Sequence, residues 1–193
     1  MAFFRIIKLL ILSLILLGTF GLEHAHAFLE LSTFYYSDSE STGSSTNQSR
    51  TFIEGTVGYR IDKAGRYLVG WGVASHSQAQ SATTSTSYSS LQMGPRFLWM
   101  IDRAKNWSLG FAYYIVTKAT YDSGAGSSET WKGTAFHFDA GYNLPIGDDF
   151  FGCIRLNYSS ASYNEKLVGS TTYSTIGYSK TFLYPSLAVV YIF

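Results

Sequence analysis

The chain has a single cysteine, Cys153, in 193 residues, so no internal disulfide can form and something other than a covalent staple must hold the fold. Charge is scarce as well: only 14% of residues are Asp, Glu, Lys or Arg, where an average soluble domain has roughly 25%. The net charge of +1 provides no basic stripe to track a phosphate backbone, so nucleic acid is not expected as a partner. Proline is nearly absent, at three residues, while Gly (18), Tyr (15), Ser and Thr are abundant; that balance favours strands over a helical bundle. A hydrophobic content of 46% excludes disorder, and the length suits one domain.

Residues 1–27 have the layout of a secretory signal peptide. Arg5 and Lys8 form a basic start, Leu9 to Leu17 an apolar stretch interrupted only by Ser13, and Ala25-His26-Ala27 a small-residue cleavage site. The stretch is short for a hydrocarbon core about 30 Å thick, so cleavage is expected, leaving a mature chain from Phe28 to Phe193. Processing removes Arg5, Lys8 and Glu23 and leaves the two signs of charge balanced. The absence of cysteine near the site gives no indication of a lipid anchor.

From Phe28 onward no apolar run reaches the ~18 residues of a spanning helix, yet period-2 alternation recurs to the end. Strands are expected near 28–38, 50–61, 66–76, 87–101, 107–121, 130–145, 149–163 and 176–193. The connections alternate in kind. Asp62-Lys63-Ala64-Gly65, Asp102 to Asn106, and Gly147-Asp148 are tight turns. Ser39–Ser49, Ser77–Thr86, Asp122–Glu129 and Asn164–Thr175 are long and polar. A soluble sandwich has no need of this asymmetry, whereas an outer-membrane barrel combines short periplasmic turns with longer external loops.

One phase of the alternation is apolar, with Leu29, Leu31, Val57, Trp71, Phe97, Phe111, Phe138, Leu156 and Val189 among its members. Rings gather near its ends: Tyr59, Tyr67, Trp99, Trp107, Tyr142, Phe150 and Tyr191 toward the turns, Tyr35 and Trp131 toward the loops. The other phase holds small uncharged residues and the charged set Glu30, Glu54, Arg60, Arg96, Asp139 and Arg155, with Lys118 and Lys180 nearer the loops. A soluble lipocalin-like barrel would turn the apolar phase inward, but its surface would want about 25–35% charged residues. The aromatic girdles and the cost of about 2–4 kcal/mol for a cation facing mid-bilayer lipid put the apolar phase outside and the charges inside. Lys132 is the exception, on the outer phase, where it can snorkel at the rim. The reading is all-β: an eight-stranded antiparallel up-and-down transmembrane β-barrel.

The chain resembles the small outer-membrane barrels of Gram-negative bacteria, such as the OmpX-like proteins and the OmpA transmembrane domain. The resemblance rests on the signal peptide, the eight alternating strands and the ending Ser186-Leu187-Ala188-Val189-Val190-Tyr191-Ile192-Phe193. It implies a place in the bacterial outer membrane, lipid and lipopolysaccharide as surroundings, and insertion by the barrel assembly machinery, with Tyr191 and Phe193 as the insertion signal.

An eight-stranded barrel is just wide enough for its own side chains to fill, so an open diffusion pore is not expected. Glu30, Glu54, Arg60, Arg96, His137, Asp139 and Arg155 are expected to form an interior polar network, because buried charges persist only when paired. Equal spacing about Gly147 sets Asp139 opposite Arg155, and Glu30 and Arg60 lie near the periplasmic ends of neighbouring strands where they could pair. The expected role is structural or a cell-surface interaction, in a monomer without cofactor, metal site or catalytic residues. An extracellular partner could pair with the Ser/Thr-rich loops. Two alternatives remain open: a narrow gated channel, and a lipid-A-modifying enzyme suggested by Ser75-His76-Ser77 near the loop rim. His76, His137 and Cys153 do not make a zinc pattern.

Overall fold

In a computed structural model, residues 26–42, 44–81, 84–126, 128–169 and 173–193 are described. Residues 1–25 of the expected signal peptide, Ala25 included, lie outside them; His26 and Ala27 are described, and Ala27 is the first residue of β1. Eight strands follow in chain order: β1 (Ala27–Thr42), β2 (Ser44–Arg60), β3 (Tyr67–Ser81), β4 (Ser85–Met100), β5 (Trp107–Asp122), β6 (Glu129–Pro145), β7 (Phe150–Val168) and β8 (Ser174–Ile192). Each pairs antiparallel with the next, and β8 returns to β1 to close the barrel. Closure removes the free edges that an open sheet would leave to be satisfied inside a membrane.

The two first turns are built alike. In each an Asp carboxylate caps the start of the following strand: Asp62 Oδ1 accepts from the amides of Arg66 and Tyr67 (both 2.8 Å), and Asp102 Oδ1 from Trp107 (2.9 Å). Against the upward push of desolvation, these amides and the Arg66 charge hold Asp62 below its ordinary carboxylate value. The left-handed position falls to Gly65 (φ 65°) in one turn and to Lys105 (φ 61°) in the other, where a side chain is less at ease.

At the opposite end the segments expected as loops are largely strand. β1 and β2 stay in register up to Thr42–Ser44, and β3 and β4 up to Ser81–Ser85. Their Ser and Thr residues tolerate extended backbone, so the hairpins continue as two-stranded ribbons. Bulges interrupt the pairing between Tyr114 and Thr117, at Lys132/Gly133, and between Tyr163 and Glu165.

The first bulge reverses the phase of upper β5. Ile115 and Val116 are both exposed, after which Thr117 and Ala119 are buried and Lys118 faces outward, contrary to the inward place expected from strict alternation. Trp131 also departs from expectation. It is only 7% exposed and packs inside against Tyr88, Tyr121, Tyr163 and Tyr178, while Lys132 takes the outer face. Trp131 shares its parity with the inward His137 and Asp139, which a strict count of alternation would have found.

Candidate functional site

The outer wall carries a belt of exposed apolar side chains at corresponding heights on every strand, from Trp107 to Val116 on β5 and from Leu183 to Phe193 on β8. This is the ~9–11 residues that a tilted strand needs to cross a bilayer. Beyond the belt the outer face turns to Ser and Thr, as at Ser77, Ser89, Thr120 and Ser162. There Lys166 Nζ donates to Glu129 Oε1 (3.2 Å), a hydrogen bond that raises the lysine above its ordinary value.

The interior has three layers. On the turn side Phe28, Leu68, Leu98, Phe151, Val190 and Ile192 form an apolar floor. Toward the loop side lies an aromatic layer that includes Phe52, Tyr88, Trp131, Tyr163, Phe182 and Tyr184. Alternation had suggested a lumen of small residues and charges throughout; instead the inward phase is apolar at the turn end and aromatic toward the loops, where Arg50 and Lys180 lie against the rings, and the fully buried charges gather in the middle. Apolar packing fills the barrel where no partner for a charge is within reach.

Arg96 sits at the centre of the middle layer. Its Nε donates to Glu30 Oε2 (2.7 Å), Nη2 to Glu30 Oε1 (3.0 Å) and to Asp139 Oδ2 (2.7 Å), and Nη1 lies 3.3 Å from Glu54 Oε1. Arg155 Nη1 pairs with Glu30 Oε1 and lies 3.3 Å from Asp139 Oδ1. Tyr114, unforeseen from the sequence, donates to Glu54 Oε1 (2.6 Å). Both guanidinium side chains are 1% exposed.

His137 extends the layer beside Glu54. Asn157 Nδ2 donates to the Tyr184 carbonyl (3.1 Å) and to Ser186 Oγ (2.8 Å), which turns its amide oxygen toward His137 Nε2 at 3.1 Å. His137 Nδ1 lies 3.1 Å from Glu54 Oε2. An oxygen thus lies near each ring nitrogen, Asn157 Oδ1 at Nε2 and Glu54 Oε2 at Nδ1. Three carboxylates share a buried layer with two guanidinium groups and one imidazole.

Neighbouring glycines make room for these groups. Gly110 stands opposite Asp139 and Gly141 opposite Arg155. A Cβ on Gly110 would run into the Asp139 carboxylate, and one on Gly141 would lie 2.6 Å from Arg155 Cγ.

Two expected pairings change. Arg155 faces Gly141 and Asp139 faces Asn157, because the β6–β7 turn is centred one residue later than Gly147; Arg155 and Asp139 meet diagonally instead. Arg60 does not join the network. Its Nε donates to His26 Nδ1 (2.6 Å) at the exposed rim, and Glu30 reaches across the lumen to Arg96 and Arg155. Ser75 and Ser77 project from the opposite face of β3 to His76, so they make no hydroxyl–imidazole pair with it. Tyr191 and Phe193 are outward, with ring centroids 4.5 Å apart.

No family model and no curated protein matches the chain. Among solved structures it is similar to Neisserial surface protein A (NspA), at TM-score 0.48 and 14% identity over 88% of this chain and 98% of that one. It is also similar to the translocator domain of autotransporter NalP from Neisseria meningitidis, at TM-score 0.43 and 12% identity over 96% of this chain and 67% of that one.

Proposed function

We propose that this chain is an integral outer-membrane β-barrel of a Gram-negative bacterium with a side-chain-plugged interior, serving a structural or cell-surface interaction role without catalysis. The observation that carries the reading is the pairing of an apolar outer belt with a charged interior. Exposed in water, Leu31, Trp71, Phe111, Phe138, Leu156 and Leu187 would form an apolar surface far larger than soluble monomers keep. In hydrocarbon the same wall is matched to its solvent, and the buried ions face one another.

The plug supports a scaffold over a channel. An ion crossing the barrel would have to part the apolar floor, the interlocked ion pairs and the aromatic layer in turn. The separation of His76 from its flanking hydroxyls supports a non-enzymatic role. Tyr191 and Phe193, exposed at the end of the last strand, suit recognition by an assembly machinery during insertion, and Ala25-His26-Ala27 suits signal cleavage beforehand. Ser/Thr-rich ribbons above the belt suit contact with an extracellular partner.

The test is fractionation followed by gel migration. The processed chain should be recovered with membranes, resist a carbonate wash, and migrate differently before and after boiling. Recovery in the buffer fraction without detergent would overturn the reading. Planar-bilayer recording should be silent for the wild type; well-resolved unitary steps would favour the channel.

A further inference from the structure

The barrel wall is not laced to one height. The β1–β8 ladder runs only from Phe28–Ile192 to Thr33–Leu187, and no pairing between these strands continues above it among the described residues. β1 remains paired with β2 up to Thr42, and β8 with β7 up to Ser174, so the two strands part while each keeps its other neighbour.

Pro185 supplies the cause. Phe193 donates its amide to Ala27, on the β1 side, whereas Ile192 donates to Asp149, on the β7 side. Amides two residues apart point the same way along a strand, so the odd positions of β8 face β1. Pro185 is the next odd position after Leu187, and it has no N–H to give. The ladder ends where the donor is missing.

The split opens onto a cavity of about 280 Å³ between the strands and the aromatic layer. Leu183 (66% exposed) and Tyr35 (69%) flank it at the upper edge of the apolar belt. Phe34, Phe52 and Phe182 line its walls, and Arg50 and His76 project into it. His76 is 3% exposed, and its Nδ1 has no hydrogen-bond partner among the described residues. Lys180 lies close by, 4.1 Å from the Tyr88 ring centre. The cavity thus joins an apolar mouth at lipid depth to a cationic, hydrogen-bonding inner end. Its volume sits just below the ~300–1,000 Å³ of ordinary ligand sites, which suits one acyl chain end or one headgroup rather than a whole lipid.

We propose that the gap between β1 and β8 is a lateral entry for a phosphate-bearing lipid of the surrounding leaflet, its acyl chain lying on Phe34, Leu183 and Pro185 and its phosphate meeting Arg50 and His76. The inference rests on the membrane reading above and adds a ligand site to it. Arg50 is the residue whose charge selects an anionic head, and Pro185 is the residue that keeps the wall parted.

The test uses the whole barrel in dodecyl maltoside micelles, titrated calorimetrically with tetradecyl phosphate, with tetradecyl maltoside as the uncharged chain and inorganic phosphate as the chainless head. Tetradecyl phosphate should bind saturably at one site, and each control at least about tenfold more weakly, since each lacks one half of the recognition. Arg50→Gln should weaken tetradecyl phosphate about tenfold, and Arg50→Lys less. Pro185→Ala, which restores the missing donor and lets the ladder extend, should weaken it by a similar factor. Migration before and after boiling establishes that each variant is folded. Absence of saturable binding to the wild type, inorganic phosphate binding as tightly as the amphiphile, or wild-type affinity in folded Arg50→Gln or Pro185→Ala would each overturn the proposal. A wild-type barrel that shifts on heating yet takes up no tetradecyl phosphate refutes the site and leaves the membrane reading standing.

Discussion

The lower and upper halves of this barrel meet the same demand by different means. Below Thr33 and Leu187 the wall is closed on all sides, capped by Asp-anchored turns and floored with a mostly aliphatic layer to which Phe28 and Phe151 add rings. Above them β1 and β8 part, the strands run on as Ser/Thr ribbons, and the lumen is filled by rings instead of aliphatic groups. On the membrane reading, the lacing holds through most of the apolar belt, where every backbone group must be satisfied in lipid, and gives way only at the belt's upper edge. The half that rises toward water can leave an edge open, because water or a ligand can serve it. The charged layer lies between the two and ties five strands together: Glu30 comes from β1, Glu54 from β2, Arg96 from β4, His137 and Asp139 from β6, and Arg155 from β7.

The most damaging change should therefore be at that layer. Arg96→Leu leaves Glu30, Glu54 and Asp139 with one guanidinium and one imidazole ring among them. A loss of about 3–5 kcal/mol is expected, read as a lower urea midpoint for the barrel refolded in lipid vesicles. Arg60→Ala at the rim should stay within about 0.5 kcal/mol, which separates the network from the nearest cation outside it. Gly110→Val should approach the Arg96 effect, since the added side chain displaces the Asp139 carboxylate.

Next in size is the floor. Leu98→Ala, at a fully buried position, should cost about 2–5 kcal/mol. Ser77→Ala on the exposed upper ribbon should cost almost nothing by the same urea assay.

Smaller still are the turns. Gly65→Ala puts a Cβ at positive φ and within 3.2 Å of Lys105 Nζ, and should destabilise by about 1 kcal/mol. Lys105→Gly should be neutral to mildly stabilising, as relief of the left-handed strain offsets the added chain entropy. The smallest effect is the pH response of Asp62. Its folded value lies below its unfolded one, so its contribution is present above the unfolded value and fades as pH falls through the folded one. Asp62→Asn should lower the urea midpoint slightly near neutrality, where the carboxylate's contribution is lost, and converge with the wild type as pH falls below about 4.

The number of strands, their order and the two faces were legible because side-chain direction has period 2 and one solvent is apolar. What alternation cannot reveal is an inserted residue: the bulge at Ile115-Val116 sends Lys118 outward, against the parity assigned to it. The pairing of Asp139 with Arg155 was read with a register centred one residue early, a shift that depends on turn geometry. Pairings across the lumen were the least accessible. Glu30 and Arg96 are 66 residues apart and meet because closure and stagger bring β1 and β4 to one height. Sequence proximity favoured Arg60, a neighbour along the wall, over Arg96, a neighbour across the interior. The apolar floor was present in the inward phase as Phe28, Leu68, Leu98, Val190 and Ile192, and was eclipsed by the charges between its two ends.

The most direct test of the account is a nitroxide scan of β5 in lipid bilayers, with Cys153 replaced by Ser and single cysteines placed from Leu109 to Lys118. Oxygen collision rates should be high at Leu109, Phe111, Tyr113, Ile115 and Val116 and low at Ala112, Tyr114 and Thr117, so that the alternation reverses after the bulge. High oxygen collision rates at the even positions before the bulge, or labels at Phe111 and Tyr113 that meet water-soluble relaxant instead of oxygen, would contradict the claim that hydrocarbon surrounds the apolar face.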